Sequence, residues 1–161
     1  MKTLYIIRHA KSSWKFDVDD HQRPLNNRGL NDADLIGKKL KTLVKPLDKV
    51  LCSDAERAKM TANIVLKNLE VPQDLFSLEP DLYDFNGHQV VSVIKKCSDT
   101  IDTLMIFGHN HALTSIANIY GDVLIDNLPT AGVVEIQFSV DSWEKIKVGK
   151  TLLTIFPKEL R

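Results

Sequence analysis

Arginine and histidine residues follow three short apolar segments of this sequence. Arg8 and His9 come directly after the first segment, and His109 follows a later segment that ends at Gly108. Arg57 comes shortly after the segment between them, in what would be the first turn of a helix. Open α/β sheets bind ligands beyond the carboxyl ends of their strands. If the three segments are parallel strands, two guanidinium groups and two imidazole rings meet at one edge of the sheet and form a positively charged pocket.

Such a pocket suits a dianionic phosphoryl group. Guanidinium groups bind phosphate oxygens through paired hydrogen bonds and keep their charge, and helix N-termini add N–H donors. A neutral imidazole nitrogen can attack phosphorus and carry the phosphoryl group covalently. The other ring nitrogen must then donate its hydrogen to an acceptor that fixes the tautomer. Because the arginines supply the positive charge, this chemistry needs no metal and no other cofactor.

The elements that must position these residues alternate between strands and helices. Apolar, β-prone segments predict strands at 3–7, 50–53, 75–79, 104–107, 133–140 and 151–156. Apolar residues at helical spacing predict helices between the early strands, the first beginning at Leu30, and a polar stretch at 11–27 predicts a long loop. This alternation predicts an α/β fold, a three-layer α/β/α sandwich with a mostly parallel central sheet. The last two strands have no clear helix between them, which favours antiparallel pairing.

Length and composition narrow the class of protein. The chain has 161 residues, 43% of them hydrophobic, and its 21 Lys and Arg residues balance 21 Asp and Glu residues. This length suits a single domain over residues 1–161. The neutral charge gives no reason to expect nucleic-acid binding, and no segment approaches membrane-spanning length. Its two cysteines match no metal-ligand spacing. We therefore expect a cytoplasmic protein, with a monomer as the default.

Four blocks of this sequence resemble the histidine phosphatase (phosphoglycerate mutase-like) superfamily. They are RHAKSSW from Arg8, RPLNNRG from Arg23, SDAERAKMTA from Ser53 and GHN from Gly108. The first block is similar in particular to the short SixA-type phosphohistidine phosphatases. The blocks stand in the family's order, and the resemblance implies a phosphoglycerate mutase-like fold and a phosphatase activity.

The resemblance also implies a role for each matching residue. His9 would be the nucleophile and would be phosphorylated transiently. Arg8 and Arg57 would hold the phosphoryl oxygens, and His109 would stabilise the transition state.

Three further residues are candidates for substrate binding. Ser12 matches a position that helps to bind phosphate in larger relatives, and Lys11 and Asn110 lie near the implied catalytic residues, within the first and last of these blocks.

The general acid is an open assignment. Relatives that cleave phosphoesters place a carboxyl group after the third strand, where this chain has Glu79, Asp81 and Asp84. Asp81 is the first choice. An imidazole leaving group needs less help from an acid than an alkoxide does, so a phosphohistidine phosphatase could also work without one.

Two substrate classes and one binding role follow from these observations. The first class is phosphohistidine in a protein, for example in a phosphotransfer domain. The chain lacks the insertions that cover the site in mutases and large phosphatases, so a protein substrate could reach the pocket. The alternative is a small phosphomonoester or another phosphoprotein in the same pocket. A module that binds phosphate without catalysis is the third hypothesis, against which the intact set of arginines and histidines argues.

Overall fold

The computed structural model describes all 161 residues, and it contains six strands and four α-helices. The strands are β1 (Lys2–Arg8), β2 (Lys49–Cys52), β3 (Phe76–Leu78), β4 (Thr103–Gly108), β5 (Val133–Phe138) and β6 (Lys150–Ile155). The helices are α1 (Asn27–Leu40), α2 (Glu56–Leu69), α3 (His88–Lys95) and α4 (Ala112–Tyr120). None of these helices is both long enough and apolar enough to cross a membrane.

The strands form one sheet in the order β3-β2-β4-β1-β5-β6. The pairs β3-β2, β2-β4 and β4-β1 are parallel, whereas β5 is antiparallel to both of its neighbours. The predicted mostly parallel sheet is thus confirmed, and so is the antiparallel pairing of the last two strands. Parallel strands need crossover helices, which explains why helices separate the first four strands but not the last two.

Helices cover both faces of the sheet and give it three layers. On one face, Ile36 of α1 and Val65 of α2 pack with Tyr5, Ile7 and Phe107 in a buried cluster of 18 residues. A second cluster of 18 buried residues joins the other face to α3 and α4. Strands that are buried on both faces are mainly apolar, as residues 4–7 of β1 and 104–107 of β4 are.

Helix α1 begins earlier than its apolar pattern predicts. The first turn contains Asn27 because the side chain of Asn26 accepts a hydrogen bond from the Gly29 backbone N–H at 2.8 Å. This is an N-cap, which depends on one side chain and not on apolar spacing. Leu30, expected on the buried face, is 37% exposed.

The predicted long loop after β1 is folded back on itself. Ser12 and Leu25 form an isolated antiparallel bridge across it, and the carbonyl oxygen of Lys11 accepts from the Asn26 N–H at 3.0 Å. The loop also packs closely on α1, since a Cβ atom on Gly29 would lie only 2.1 Å from the Lys11 oxygen. Glycine at this position therefore allows the loop to reach the carboxyl ends of the strands.

Candidate active site

The carboxyl ends of three neighbouring strands meet at one pocket. In the parallel pair β1-β4, Arg8 lies opposite Gly108, and β2 flanks β4 on its other side. His9 and His109 therefore follow the ends of adjacent strands, while Arg57 lies in the first turn of α2. The structure brings these four side chains into one cavity of about 450 Å³. The cavity is lined by Arg8, His9, Lys11, Ser12, Trp14, Asp20, Arg23, Arg57, Phe85, His109, Asn110 and Thr130.

His9 is held in one orientation and one tautomer. Its Nδ1 lies 2.7 Å from the carbonyl oxygen of Ala10. Because a carbonyl only accepts, Nδ1 carries the hydrogen and donates it. Nε2 is then unprotonated, and the Nε–H of Arg57 points at it from 3.4 Å. A protonated Nδ1 and an unprotonated Nε2 form the tautomer that an imidazole nucleophile requires.

A buried hydroxyl group supports the Ala10 peptide. Thr61 Oγ1 accepts the backbone N–H of Ala10 at 2.9 Å and donates to the Arg57 carbonyl oxygen at 2.7 Å. Thr61 is fully buried. It therefore links the end of β1, which carries His9, to the helix that carries Arg57.

His109 is oriented from the opposite side. Its Nε2 lies 2.8 Å from Ser53 Oγ, and Arg57 Nη2 approaches its Nδ1 at 3.4 Å. Since a guanidinium group only donates, Nδ1 is the acceptor and Nε2–H donates to Ser53. The centroids of the two imidazole rings, of His9 and His109, are 5.2 Å apart.

Both imidazoles are neutral at physiological pH. Burial lowers the pKa of His9 to about 3. The hydrogen bond to Ala10 raises this pKa, and the charges of Arg57, Arg8 and Arg23 lower it further. Burial likewise lowers the pKa of His109 to about 2, and neighbouring His9 and Arg57 add to this effect. His9 Nε2 is therefore unprotonated over the whole physiological range.

Arg8 offers an unused hydrogen-bond donor. Its Nη1 donates to the carbonyl oxygen of Leu128 at 2.8 Å, which fixes the guanidinium group. Its Nε is buried and has no hydrogen-bond partner. Every other buried side-chain nitrogen or oxygen in the protein has one. Burial, together with the charge of Arg57, lowers the pKa of Arg8 from its usual value. An anion in the pocket would relieve both the missing hydrogen bond and the repulsion.

Arg57 is paired with a carboxylate from the loop after β1. Its Nη1 donates to the Asp20 carbonyl oxygen at 2.6 Å, and its Nη2 donates to Asp20 Oδ2 at 2.9 Å. Tyr83 Oη donates to the same Oδ2 at 2.6 Å. Burial would raise the pKa of Asp20, but the hydrogen bonds from Tyr83, Arg57 and Arg23 outweigh burial and hold that pKa well below its usual range. Asp20 is thus an ionised internal partner of the arginines.

A third arginine, which the sequence analysis did not select, completes the cluster. Arg23 Nε donates to Asp20 Oδ1 at 3.0 Å, and its Nη1 donates to Ser12 Oγ. Its guanidinium carbon lies 3.6 Å from the centroid of the Trp14 ring. Arg23 stands first in the RPLNNRG block, which was the signal that could have identified it. No comparable signal marks Asp20 within its acidic loop.

The predicted substrate-binding residues all line the cavity, but they differ in how many of their polar atoms are already hydrogen-bonded within the protein. The Ser12 hydroxyl accepts from Arg23, while Lys11 is exposed. The side-chain amide of Asn110 is used in hydrogen bonds within the protein. Its Nδ2 donates to Asn127 Oδ1 at 2.9 Å, and its Oδ1 accepts from Thr114. Of the three, Lys11 and Ser12 are the better placed to contact a ligand.

Comparison with known protein families identifies the chain. The model of the histidine phosphatase superfamily, branch 1, matches residues 4–96. The protein belongs to the histidine phosphatase superfamily. Its blocks RHAKSSW, RPLNNRG and SDAERAKMTA all lie within the matched region, and the chain is a phosphatase with the fold of this superfamily.

Individual relatives agree with this family. The protein Rv1276c of Mycobacterium tuberculosis, of uncharacterized function, is 27% identical over 93% of this chain and 98% of its own length. The adenosylcobalamin/alpha-ribazole phosphatase of Salmonella typhimurium is 40% identical over 50% of this chain and 40% of its own length. The structure of the protein histidine phosphatase SixA complexed with tungstate superposes with a TM-score of 0.83 at 18% identity and covers 99% of both chains. At that identity the likeness to SixA is one of fold.

Asp81, the residue expected to be the general acid, lies outside the pocket. Asp81 is exposed and lines a separate surface cavity together with Glu79 and Lys49, so it is not placed to protonate a leaving group in the pocket. Glu79 accepts the backbone N–H of Asp81. The sequence after β3 turns away from the pocket at these two residues, which corrects the expectation for both.

Asp84 is buried, and its carboxylate is hydrogen-bonded to the N-terminal end of α3. Its carboxylate accepts the backbone N–H groups of Gly87, Gln89 and Val90 at 3.0 to 3.1 Å, which caps α3. Capping satisfies N–H groups that have no partner within the helix. The carboxylate that does line the pocket of this phosphatase is Asp20. No three His, Cys, Asp or Glu side chains lie close enough together to hold a metal ion.

Proposed function

We propose that this protein removes phosphoryl groups by transferring them first to His9 and then to water, without a metal, and that its substrate is phosphohistidine carried by a protein. The observation that carries the proposal is the neutral Nε2 of His9, which faces a pocket with three guanidinium groups and the unpartnered Nε of Arg8. Its fold is also that of a protein described as a protein histidine phosphatase.

The first step forms a covalent intermediate. The phosphoryl group enters the pocket and its oxygens accept from Arg8 Nε–H and from Arg57, so that Asp20 gives up its place on Arg57. The lone pair of His9 Nε2 then attacks phosphorus while the bond from phosphorus to the leaving atom breaks. The electron pair of that bond goes to the leaving atom, which takes a proton from water. The fixed arginines stabilise the charge on the phosphoryl oxygens in the transition state.

The second step regenerates the enzyme. Water attacks phosphorus, the bond between phosphorus and His9 Nε2 breaks, and inorganic phosphate leaves with the protons of that water, one of which neutralises the hydroxide formed in the first step. The electron pair returns to Nε2, and the Ala10 carbonyl keeps the Nδ1 hydrogen in place through both steps. Arg57 holds the phosphoryl oxygens through this step as well.

The absence of a free carboxylic acid in the pocket favours an imidazole leaving group. The carboxyl group of Asp20 is held ionised, and Asp81 and Asp84 do not line the pocket. An alkoxide leaving group depends strongly on an acid, whereas imidazole is a much better leaving group. Hydrolysis of small phosphomonoesters is the second candidate, favoured by the partial match to the Salmonella phosphatase and by a cavity larger than a phosphate ion.

The test is turnover of a phosphohistidine-carrying phosphotransfer protein against a panel of phosphomonoesters, in the presence of a chelator. We expect phosphohistidine to be hydrolysed fastest, and His9→Ala to lose activity by at least about a thousandfold, as removal of a covalent nucleophile does. Asp81→Asn is the matched control and should retain wild-type turnover. Acid-labile phosphate trapped on His9→Ala to the wild-type extent would contradict the nucleophile. Hydrolysis of esters alone, lost in Asp81→Asn, would contradict the substrate class.

A further inference from the structure

Two exposed aromatic side chains stand at the mouth of the pocket and have no part in the mechanism above. Trp14 is 76% exposed and Phe85 is 48% exposed, and both line the cavity. The other lining residues are polar or charged, except for the aliphatic portions of their side chains. A ligand bound in this cavity can cover both rings, because both line it and are open to water.

The ring of Trp14 is held in place although it is exposed. One of its faces stacks on the guanidinium group of Arg23, which is itself fixed by Ser12 and Asp20. The backbone on both sides of Trp14 is also held by hydrogen bonds. The Ser13 N–H donates to the carbonyl oxygen of Pro24 at 2.8 Å, and the Lys15 N–H donates to Ser13 Oγ at 3.1 Å. The opposite face of the indole ring is therefore presented to a ligand at little entropic cost.

Phe85 is fixed in a comparable way. Its ring packs against Tyr83 and His109, with centroids 5.2 and 5.3 Å away. The preceding residue, Asp84, is locked by its bonds to the first turn of α3. Phe85 thus borders both the His109 imidazole and the solvent at the cavity.

We propose that Trp14 and Phe85 form a subsite for a flat aromatic ring carried by the leaving group of the substrate. The inference rests on the proposed function, because it assumes that the phosphoryl group lies on the arginines. A flat ring stacks on an aromatic face, whereas a saturated group of the same size gains only apolar contact. The imidazole of phosphohistidine is such a ring, and so is an aryl group in a small phosphorylated molecule.

The experiment separates ring stacking from phosphate binding. Binding of benzylphosphonate and of cyclohexylmethylphosphonate, which have the same charge and nearly the same size, is measured by calorimetry on the whole protein. We expect benzylphosphonate to bind about two- to tenfold more tightly, the range that aromatic pairing supplies. The ratio of the two affinities is the readout, so any general effect of a substitution on the arginines cancels.

Variants assign the preference to the two rings. W14L and F85L should each reduce the affinity ratio towards one, while Trp14→Phe should keep most of it. Phe16→Ala is the matched control, since Phe16 is 58% exposed and does not line the cavity. Equal binding of both phosphonates, or a ratio that survives both leucine variants, would overturn the subsite.

A second arm identifies what carries the ring. Values of kcat/KM are measured for free phosphohistidine and for a phosphohistidine-carrying phosphotransfer protein, in wild type and W14L. We expect the substitution to lower both by a similar factor. A loss confined to the protein substrate would mean that Trp14 contacts a protein surface and would overturn the ring subsite. A preference for benzylphosphonate without labelling of His9 would retain the subsite and refute the proposed mechanism instead.

Discussion

At the scale of single residues, the pocket is a balance of three arginines and one carboxylate. Asp20 bonds to Arg23 and to Arg57, and a phosphoryl oxygen would need the hydrogen bonds of Arg57. Repulsion among the guanidinium groups is reduced by Asp20 when no substrate is bound. The same carboxylate would repel an arriving phosphoryl dianion, so it must move or be displaced.

Removal of that charge should therefore improve phosphate binding. In Asp20→Asn, we expect the Kd for inorganic phosphate to fall by about fivefold or more, because a partly buried opposing charge is lost. Asp19→Asn, at an exposed neighbouring position outside the cavity, is the control. Weaker phosphate binding by Asp20→Asn would show that the carboxylate serves to orient the arginines and does not compete with the ligand.

At the scale of elements, the site depends on contacts that join the end of one strand to the start of a helix. The Thr61 hydroxyl on α2 accepts the N–H of Ala10, and the carbonyl oxygen of the same residue holds the imidazole of His9. The threonine lies four residues after Arg57, so both side chains lie on the same face of the helix, Arg57 at the pocket and Thr61 buried behind it. The SDAERAKMTA block is therefore a structural unit as well as a sequence match.

Loss of this hydroxyl should affect both stability and turnover. Thr61→Val keeps the side-chain shape but leaves the buried Ala10 N–H without an acceptor, which should lower the free energy of unfolding by about 1 to 3 kcal/mol. We expect kcat to fall more than KM changes, because Ala10, whose carbonyl oxygen orients His9, is then held less firmly. Thr61→Ser should restore most of the lost kcat. Urea denaturation and steady-state kinetics measure both, and a wild-type kcat in Thr61→Val would refute the link to His9.

At the scale of the whole molecule, the sheet buries two neutral imidazoles at its functional edge. The folded pKa values of His9 and His109, about 3 and about 2, lie below the ordinary value of 6.5. As the pH falls below 6.5, the unfolded chain takes up protons on these two histidines before the folded protein does. The free energy of unfolding must therefore decrease with falling pH between about 6.5 and about 3, and these groups have no effect above that window.

This dependence can be measured by urea denaturation between pH 7.5 and pH 5. Each buried histidine should contribute up to about 1.4 kcal/mol per pH unit below 6.5. His109→Gln should reduce the slope by one such contribution, whereas His88→Gln, at an exposed position, should not change it. Identical slopes in wild type and His109→Gln would show that His109 is not buried in its neutral form.

The sequence by itself determined the layered α/β fold and the meeting of Arg8, His9, Arg57 and His109. The physical reason is that apolar periodicity specifies strands and helices locally, and parallel strands must end at the same edge of the sheet. Only the tertiary structure decided which carboxylate enters the pocket. Asp20 and Arg23 reach it because the loop after β1 folds back over Gly29, a long-range arrangement that no local pattern encodes. The same holds for Asp81, whose backbone follows a short turn away from the site after β3.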